Sequence, residues 1–380
     1  MSTTTTARTS ERPVSSQSRR WLAAGVGLLV LPLLLQQLGQ APVRIVDQAL
    51  LYVLLALGLN IVVGYAGLLD LGYVAFYALG AYLFALLASP HLSEQFAAVQ
   101  AHFPAGLHEP WWLVLPLGAA LAALLGVLLG APTLRLRGDY LAVVTLAFGE
   151  IIRLFIVNMG HPANITNGAR GIGPIDDIHI FGLDLGRRQE LLGLSLPPVT
   201  LYYYLFLALV LLAALACHRL ERSRIGRAWM AIREDETAAL AMGLDTRRLK
   251  LLAFGMGAAF GGVAGVLFGA FQGFISPEAF SLQESVLIVT MVVLGGIGHM
   301  PGVILGALLL SALPEALRYV AGPLQQLSDG RLDAPILRQL MVALAMIAMM
   351  LLRPRGLWAA AEQRRPPELR RPSAGAAAAD

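Results

Sequence analysis

One lysine, Lys250, and one cysteine, Cys217, are all that 380 residues supply of either type. A single cysteine inside an apolar run excludes a disulfide framework and a thiolate metal cluster, and leaves Cys217 to small-residue packing. A single lysine, in Arg248-Leu-Lys-Leu251, excludes the G-x-x-x-x-G-K-[ST] loop that cradles nucleotide phosphates, so any ATP hydrolysis must come from another subunit. The seven histidines are scattered, without H-E-x-x-H spacing, and no G-x-S-x-G elbow occurs, so neither a metal site nor a cofactor is expected. Charge is scarce too: 14% of residues, against about 25% in ordinary soluble domains. That excludes an average water-soluble enzyme and a disordered scaffold.

What the chain has instead is apolar sequence, 57% of residues with a mean hydropathy of +0.68. The runs 21–43, 48–69, 71–93, 110–134, 191–218, 251–277 and 285–314 contain no Asp, Glu, Lys or Arg. About 20 apolar residues cross the ~30 Å hydrocarbon layer, and most of these runs suffice. No alternating ten-residue strands appear, so the expected fold is all-α, a polytopic transmembrane bundle in a lipid bilayer. Spans are predicted at 21–40, 46–64, 72–89, 111–131, 140–158, 199–218, 251–271, 284–298, 302–320 and 335–352. This makes about ten membrane segments, or eight plus a re-entrant hairpin if 284–298 and 302–320 turn back within the membrane. The basic residues sit at the ends of these runs, which reads as topology and not as nucleic-acid binding. Twenty fall on one side, seven on the other and Arg153 within a span, placing both termini in the cytoplasm by the positive-inside bias.

Residues 1–20, rich in Ser and Thr, are expected to be a disordered cytoplasmic tail, and 359–380 another. Between them 21–358 forms the membrane domain. Arg19 and Arg20 before an apolar run resemble a signal peptide, but no clear cleavage site follows, and an uncleaved first span is preferred. The longest connections are 90–110 and 159–198 on the outer side and 219–250 on the inner.

Within 219–250, Ile225 to Gly243 reads as one short amphipathic helix, with Gly243 suited to the left-handed residue after a helix and Asp245 to the next N-cap. On pattern alone it fits equally a partner-docking helix, with small Ala238, Ala239 and Ala241 and polar Arg233, Glu234, Asp235 and Glu236, or a helix packed on its own bundle. Gly64, Gly67 and Gly72 recur at small-residue spacing around Asp70. Small residues permit close helix packing or a broken helix lining a path, and Asp70, costing about 3 kcal/mol unpaired at the bilayer centre, should meet water, a partner or the interface. Glu150 and Arg153, three apart, share a helix face and can pair with each other or make a state-dependent contact elsewhere. Gly295, Gly296 and Gly298 interrupt the eighth span, and a further glycine-rich stretch occupies 254–265.

Four stretches then carry a resemblance: Gly58-Leu-Asn-Ile-Val-Val-Gly-Tyr-Ala-Gly-Leu-Leu69, Leu134-Arg-Leu-Arg-Gly-Asp-Tyr140 running on to Phe148-Gly-Glu-Ile-Ile-Arg153, Gly226-Arg-Ala-Trp-Met-Ala-Ile-Arg-Glu-Asp-Glu236, and Gln272-Gly-Phe-Ile-Ser-Pro-Glu278 with Val292-Val-Leu-Gly-Gly-Ile-Gly298. From about Val46 to Trp358 the chain resembles the permease subunits of bacterial branched-chain amino-acid ABC importers, specifically the larger, LivM type. The resemblance implies an ABC importer permease fold in the inner membrane, a second shorter permease, two ABC ATPase subunits and a periplasmic substrate-binding protein. It also implies that the pattern E-x-A-A-x-x-x-G on Glu236, Ala238, Ala239 and Gly243 marks an ATPase-coupling helix, which favours docking. A related urea or amide importer permease shares the architecture and is the nearest alternative. An ion-driven carrier with Asp70, Glu150 and His299 as relay groups is a second reading, disfavoured because so few intramembrane groups ionise. A membrane enzyme lacks a catalytic constellation.

Overall fold

The computed structural model describes residues 15–327 except 38, 134–137, 162, 181 and 192–193, with scattered positions between 336 and 351. Its helices are α1 (Ser15–Gln36), α2 (Gln40–Leu59), α3 (Val74–Leu87), α4 (His91–Gln95), α5 (Ala97–Gln100), α6 (Trp111–Thr133), α7 (Asp139–Asn158), α8 (Pro198–Glu221), α9 (Arg224–Glu234), α10 (Glu236–Ala241), α11 (Thr246–Gln272), α12 (Leu282–Gly295) and α13 (Met300–Leu327). Six helical stretches are long and apolar enough to cross a bilayer: 40–65, 111–133, 140–158, 198–221, 246–272 and 300–317. Part of α1, together with α3 and α12, is apolar but shorter. The chain is therefore a helical polytopic bundle. The expected count of about ten segments is not reached among the described residues, and half of the expected tenth span, 335–352, lies outside them. The helix α1 starts at Ser15, ahead of residue 20 where the tail was expected to end; residues 1–14 and the tail 359–380 lie outside the described residues.

Two helices form the centre. The apolar windows of α2 and α11 are 78% and 67% buried, against 28% for α6, α7 and α13. The glycines of 254–265 explain why α11 can take that place. Gly257, Gly261, Gly265 and Gly269 recur every fourth residue, so they share one face; α3 lies against the last three, and Gly257 meets Gly58 and Val62. A Cβ on Gly265 would meet the Ala81 nitrogen at 2.7 Å, and one on Gly262 would meet the Ala122 Cβ of α6 at the same distance. Close approach of bare backbones replaces a hydrophobic driving force that lipid does not supply. An aromatic cluster of Tyr77, Phe268 and Phe280, with ring centroids 5.2 to 6.0 Å apart, fills the next layer.

The connection between α7 and α8 carries structure of its own. Residues 159–198 hold two short antiparallel hairpins, β1 (His179–Ile180) with β2 (Leu183–Asp184) and β3 (Gln189–Leu191) with β4 (Leu194–Leu196). Four strands of two or three residues do not alter the all-α class. Ile172 pairs its backbone with Ile275 just beyond α11, tying this segment to the bundle.

The expected single helix over 225–243 is two. Asp235 adopts extended backbone, and its carboxylate accepts the N–H groups of Thr237 and Ala238 at 2.8 and 3.0 Å, ending α9 and starting α10. A side chain that bonds its own following backbone competes with helix continuation, which periodicity does not register. Gly243 has φ +83°, and Asp245 caps α11 through Arg248 N at 3.1 Å, both as the sequence led us to expect.

Candidate functional site

The regular helix α2 does not run into α3. At Asn60–Tyr65 it widens into a π-helical turn, and residues 66–73 rise through the bundle without helical structure before α3 begins. Such widened turns and interrupted membrane helices free backbone groups that side chains must then satisfy. Three groups do so here. The Arg233 guanidinium, on α9, donates to the Gly64 carbonyl at 2.5 Å. The Asn60 carboxamide, 1% exposed, accepts from Gly298 N at 2.9 Å. The Thr145 hydroxyl of α7 accepts from Leu71 N at 3.0 Å.

Arg233 thus lies on bare backbone. A Cβ on Gly67, whose φ is +71°, would stand 2.8 Å from the Arg233 Cγ, and one on Gly298, with φ +80°, would stand 2.6 Å from its Nη1. Both positions need glycine for conformation and for room. The fold therefore brings together residues that the sequence presented as three separate groups: Arg233, the pair Gly64 and Gly67, and Gly298. Gly295 and Gly296 complete the turn from α12 into α13, with Gly295 packed on the backbone of Gly302 and Val303.

Asp70 is 2% exposed. One carboxylate oxygen accepts from Gly72 N at 2.9 Å and the other has no hydrogen-bond partner among the described residues. A cavity beside it, lined by Asp70, Gly72, Thr133, Thr145 and Phe148 among others, has room for about one water. Gly72 packs on the α7 backbone at Thr145 and Gly149, so small size at position 72 serves contact with α7. Glu150 and Arg153 pair with each other at 2.5 Å along α7, apart from the Arg233 junction.

On the far side of α9, Trp229 is wholly buried and its indole N–H donates to Leu249 O at 2.7 Å, fixing α9 to the foot of α11. Glu236 accepts from Lys250 at 2.5 Å, so the chain's one lysine braces α10. Of the expected docking residues, Ala238 and Gly243 are exposed and Ala239 is buried against this chain. Next to them Leu240 is 52% exposed and Met242 83%. Within the connection 219–250 these two are the most exposed large apolar side chains.

The sequence reading passed over Trp229, Leu240 and Met242, and also the polar positions of α2. Asp47 is fully buried in α2 with neither carboxylate oxygen paired among the described residues, and Tyr52 donates to Glu284. A signal existed: Arg44, Gln48 and Tyr52 fall four residues apart, a helical stripe that leads into the apolar run 48–69. Among the described residues no group of three or more His, Cys, Asp or Glu could hold a metal.

Residues 41–351 match the family model described as branched-chain amino acid transport system / permease component. The high-affinity branched-chain amino acid transport system permease protein LivM of Escherichia coli (strain K12) is 42% identical over 327 residues, covering 83% of this chain and 69% of that protein. The permease protein LivH of the same organism is 27% identical over 270 residues, covering 70% of this chain and 81% of LivH. A probable branched-chain amino acid transport permease protein LivM of Methanocaldococcus jannaschii is 30% identical over 200 residues, covering 51% of this chain and 54% of that protein. No solved structure matches the chain.

Proposed function

The chain belongs to the branched-chain amino acid transport permease family, and from that premise we propose that α9 and α10 carry the motion of ATPase subunits into the broken segment 60–73. The protein is a multi-pass membrane permease subunit of an ABC importer and not itself an enzyme. Leucine, isoleucine, valine or related amino acids are its substrate class, in preference to urea, because the relatives are named for branched-chain transport. A second permease of the LivH kind, two ATPases and a periplasmic binding protein complete the assembly in the inner membrane. The end of the bundle bearing α9 and α10 faces the cytoplasm, in keeping with the excess of arginine there.

The observation that carries this reading is a chain of contacts from an exposed tip to the bundle's weakest backbone. Leu240 on α10 and Met242 just beyond its end stand bare. One helix back, Arg233 reaches the Gly64 carbonyl and lies against Gly67 and Gly298. An ATPase pair gripping the tip shifts α9, and Trp229 passes the shift to α11 while Arg233 passes it to the π turn and the α12–α13 corner. A partner drives transport only by preferring one conformation of the bundle over another, and this junction supplies an element whose two arrangements α9 can bias. The outer binding protein delivers substrate, so a low-affinity passage between the two permeases suffices and no deep pocket is required.

The test replaces the tip. Met242→Arg and Leu240→Arg alter exposed side chains, so membrane insertion and the bundle's melting temperature should hold. Copurification of the ATPase subunits and ATP-dependent uptake should both be lost. Normal uptake by both variants would refute docking at this tip.

A further inference from the structure

Membrane-facing surface should be apolar, and over most of this bundle it is. Leu124 on α6, Phe155 on α7 and Leu212 on α8 are each 63 to 65% exposed. The central helix α2 departs from that rule. From Asp47 to its end its apolar positions are buried, and the least covered residues are polar: Gln48 is exposed and Tyr52 half-buried, with Arg44 exposed one turn earlier. Four-residue spacing sets them in one stripe about 12 Å long. The stripe is continued by other elements. Arg44 donates to the exposed Gln272 at 2.5 Å and lies 5.4 Å from the Phe271 ring centre, while Tyr52 donates to half-buried Glu284.

A cation at one end and a carboxylate at the other, with amides between, is an arrangement that lipid opposes, since exposed charge in hydrocarbon costs several kcal/mol. It suits a zwitterion. Resting on the functional reading above, we propose that Arg44, Gln48, Tyr52, Gln272 and Glu284 form this subunit's share of the amino-acid passage, the α-carboxylate meeting Arg44 near the outer mouth and the α-ammonium meeting Glu284 deeper in. The two charges of one amino acid are too close together to span 12 Å, so the groups act in succession. Neither binds tightly, because each already has a partner in this chain that the substrate must displace. That is what a conduit requires, since a substrate held firmly at either end would not leave it.

The experiment uses the complete importer in proteoliposomes, with the binding protein present. Gln48→Cys and Gln272→Cys are treated from the binding-protein side with a charged, membrane-impermeant methanethiosulfonate, with Leu124→Cys as the lipid-facing control. Labelling at 48 and 272 but not at 124, with at least a tenfold loss of uptake after labelling, is the expected result. Arg44→Gln and Glu284→Gln should each slow uptake about tenfold, the effect of losing one charge-assisted contact, and Arg44→Lys should recover much of the rate. Residues 48 and 272 unreactive in both nucleotide-free and vanadate-trapped states, labelling without effect on uptake, or normal uptake in both charge variants would overturn the proposal. An intact importer that takes up no aliphatic amino acid would refute the functional reading, whereas the labelling pattern reports on the passage itself.

Discussion

Arg233→Ala is the sharpest perturbation of the coupling route. The substitution removes the guanidinium from the Gly64 carbonyl, where the distance is 2.5 Å, and the stem from Gly67. Charged hydrogen bonds contribute about 1.5–3 kcal/mol, and because this side chain is partly in solvent the low end applies, about 1.5 kcal/mol. That corresponds to roughly a tenfold change in the equilibrium between the two arrangements of the junction. The bundle should still insert, since its central packing of α2, α3, α6 and α11 does not depend on Arg233. In proteoliposomes with all subunits, ATP hydrolysis should lose about tenfold of its dependence on loaded binding protein, and amino acids moved per ATP should fall. Arg233→Lys should recover part of this, since an ammonium reaches the carbonyl but lacks the planar fork that also lies over Gly298. If Arg233→Ala leaves both the hydrolysis stimulation and the transport ratio at wild-type values, the junction does not carry coupling.

Packing and pH give two further expectations. A Cβ at Gly80 would collide with the Gly262 carbonyl, backbone against backbone, so α3 and α11 must separate; Gly80→Ala should destabilise by about 1–3 kcal/mol and lower the detergent-solubilised melting temperature by several degrees. Outside the membrane-spanning segments, His108 Nδ1 donates to the Asp176 carboxylate 2.5 Å away, and this hydrogen bond raises the imidazole pKa above its ordinary value of about 6.5. The folded value being the higher, the stabilisation is complete below about pH 6.5 and disappears as pH rises through the folded value. Melting curves between pH 5.5 and 8.5 should show this loss in the wild type, and Asp176→Asn should flatten it; identical curves would refute the pairing.

Much of this was legible along the chain. Uncharged runs located the long spans because the membrane's thickness fixes a length and lipid forbids unpaired backbone, two constraints that act locally. Gly243 and Asp245 were legible for a similar reason, since caps are read within four residues. The division of 225–243 into α9 and α10 was not, because it rests on one aspartate choosing its own backbone over the helix. The junction was legible only in fragments. Gly64, Gly67, Arg233 and Gly298 each stood out, yet 169 residues separate Arg233 from the carbonyl it meets.

The sequence by itself determined the class, a polytopic helical permease, and most of the crossings, since apolar length and the placement of arginines are properties of a one-dimensional string. Only the tertiary structure decided that α2 and α11 lie at the centre, that α2 breaks at 60–73, and that its polar stripe is left uncovered. Those outcomes depend on which faces of different helices meet, and periodicity gives each helix a face without saying what will cover it.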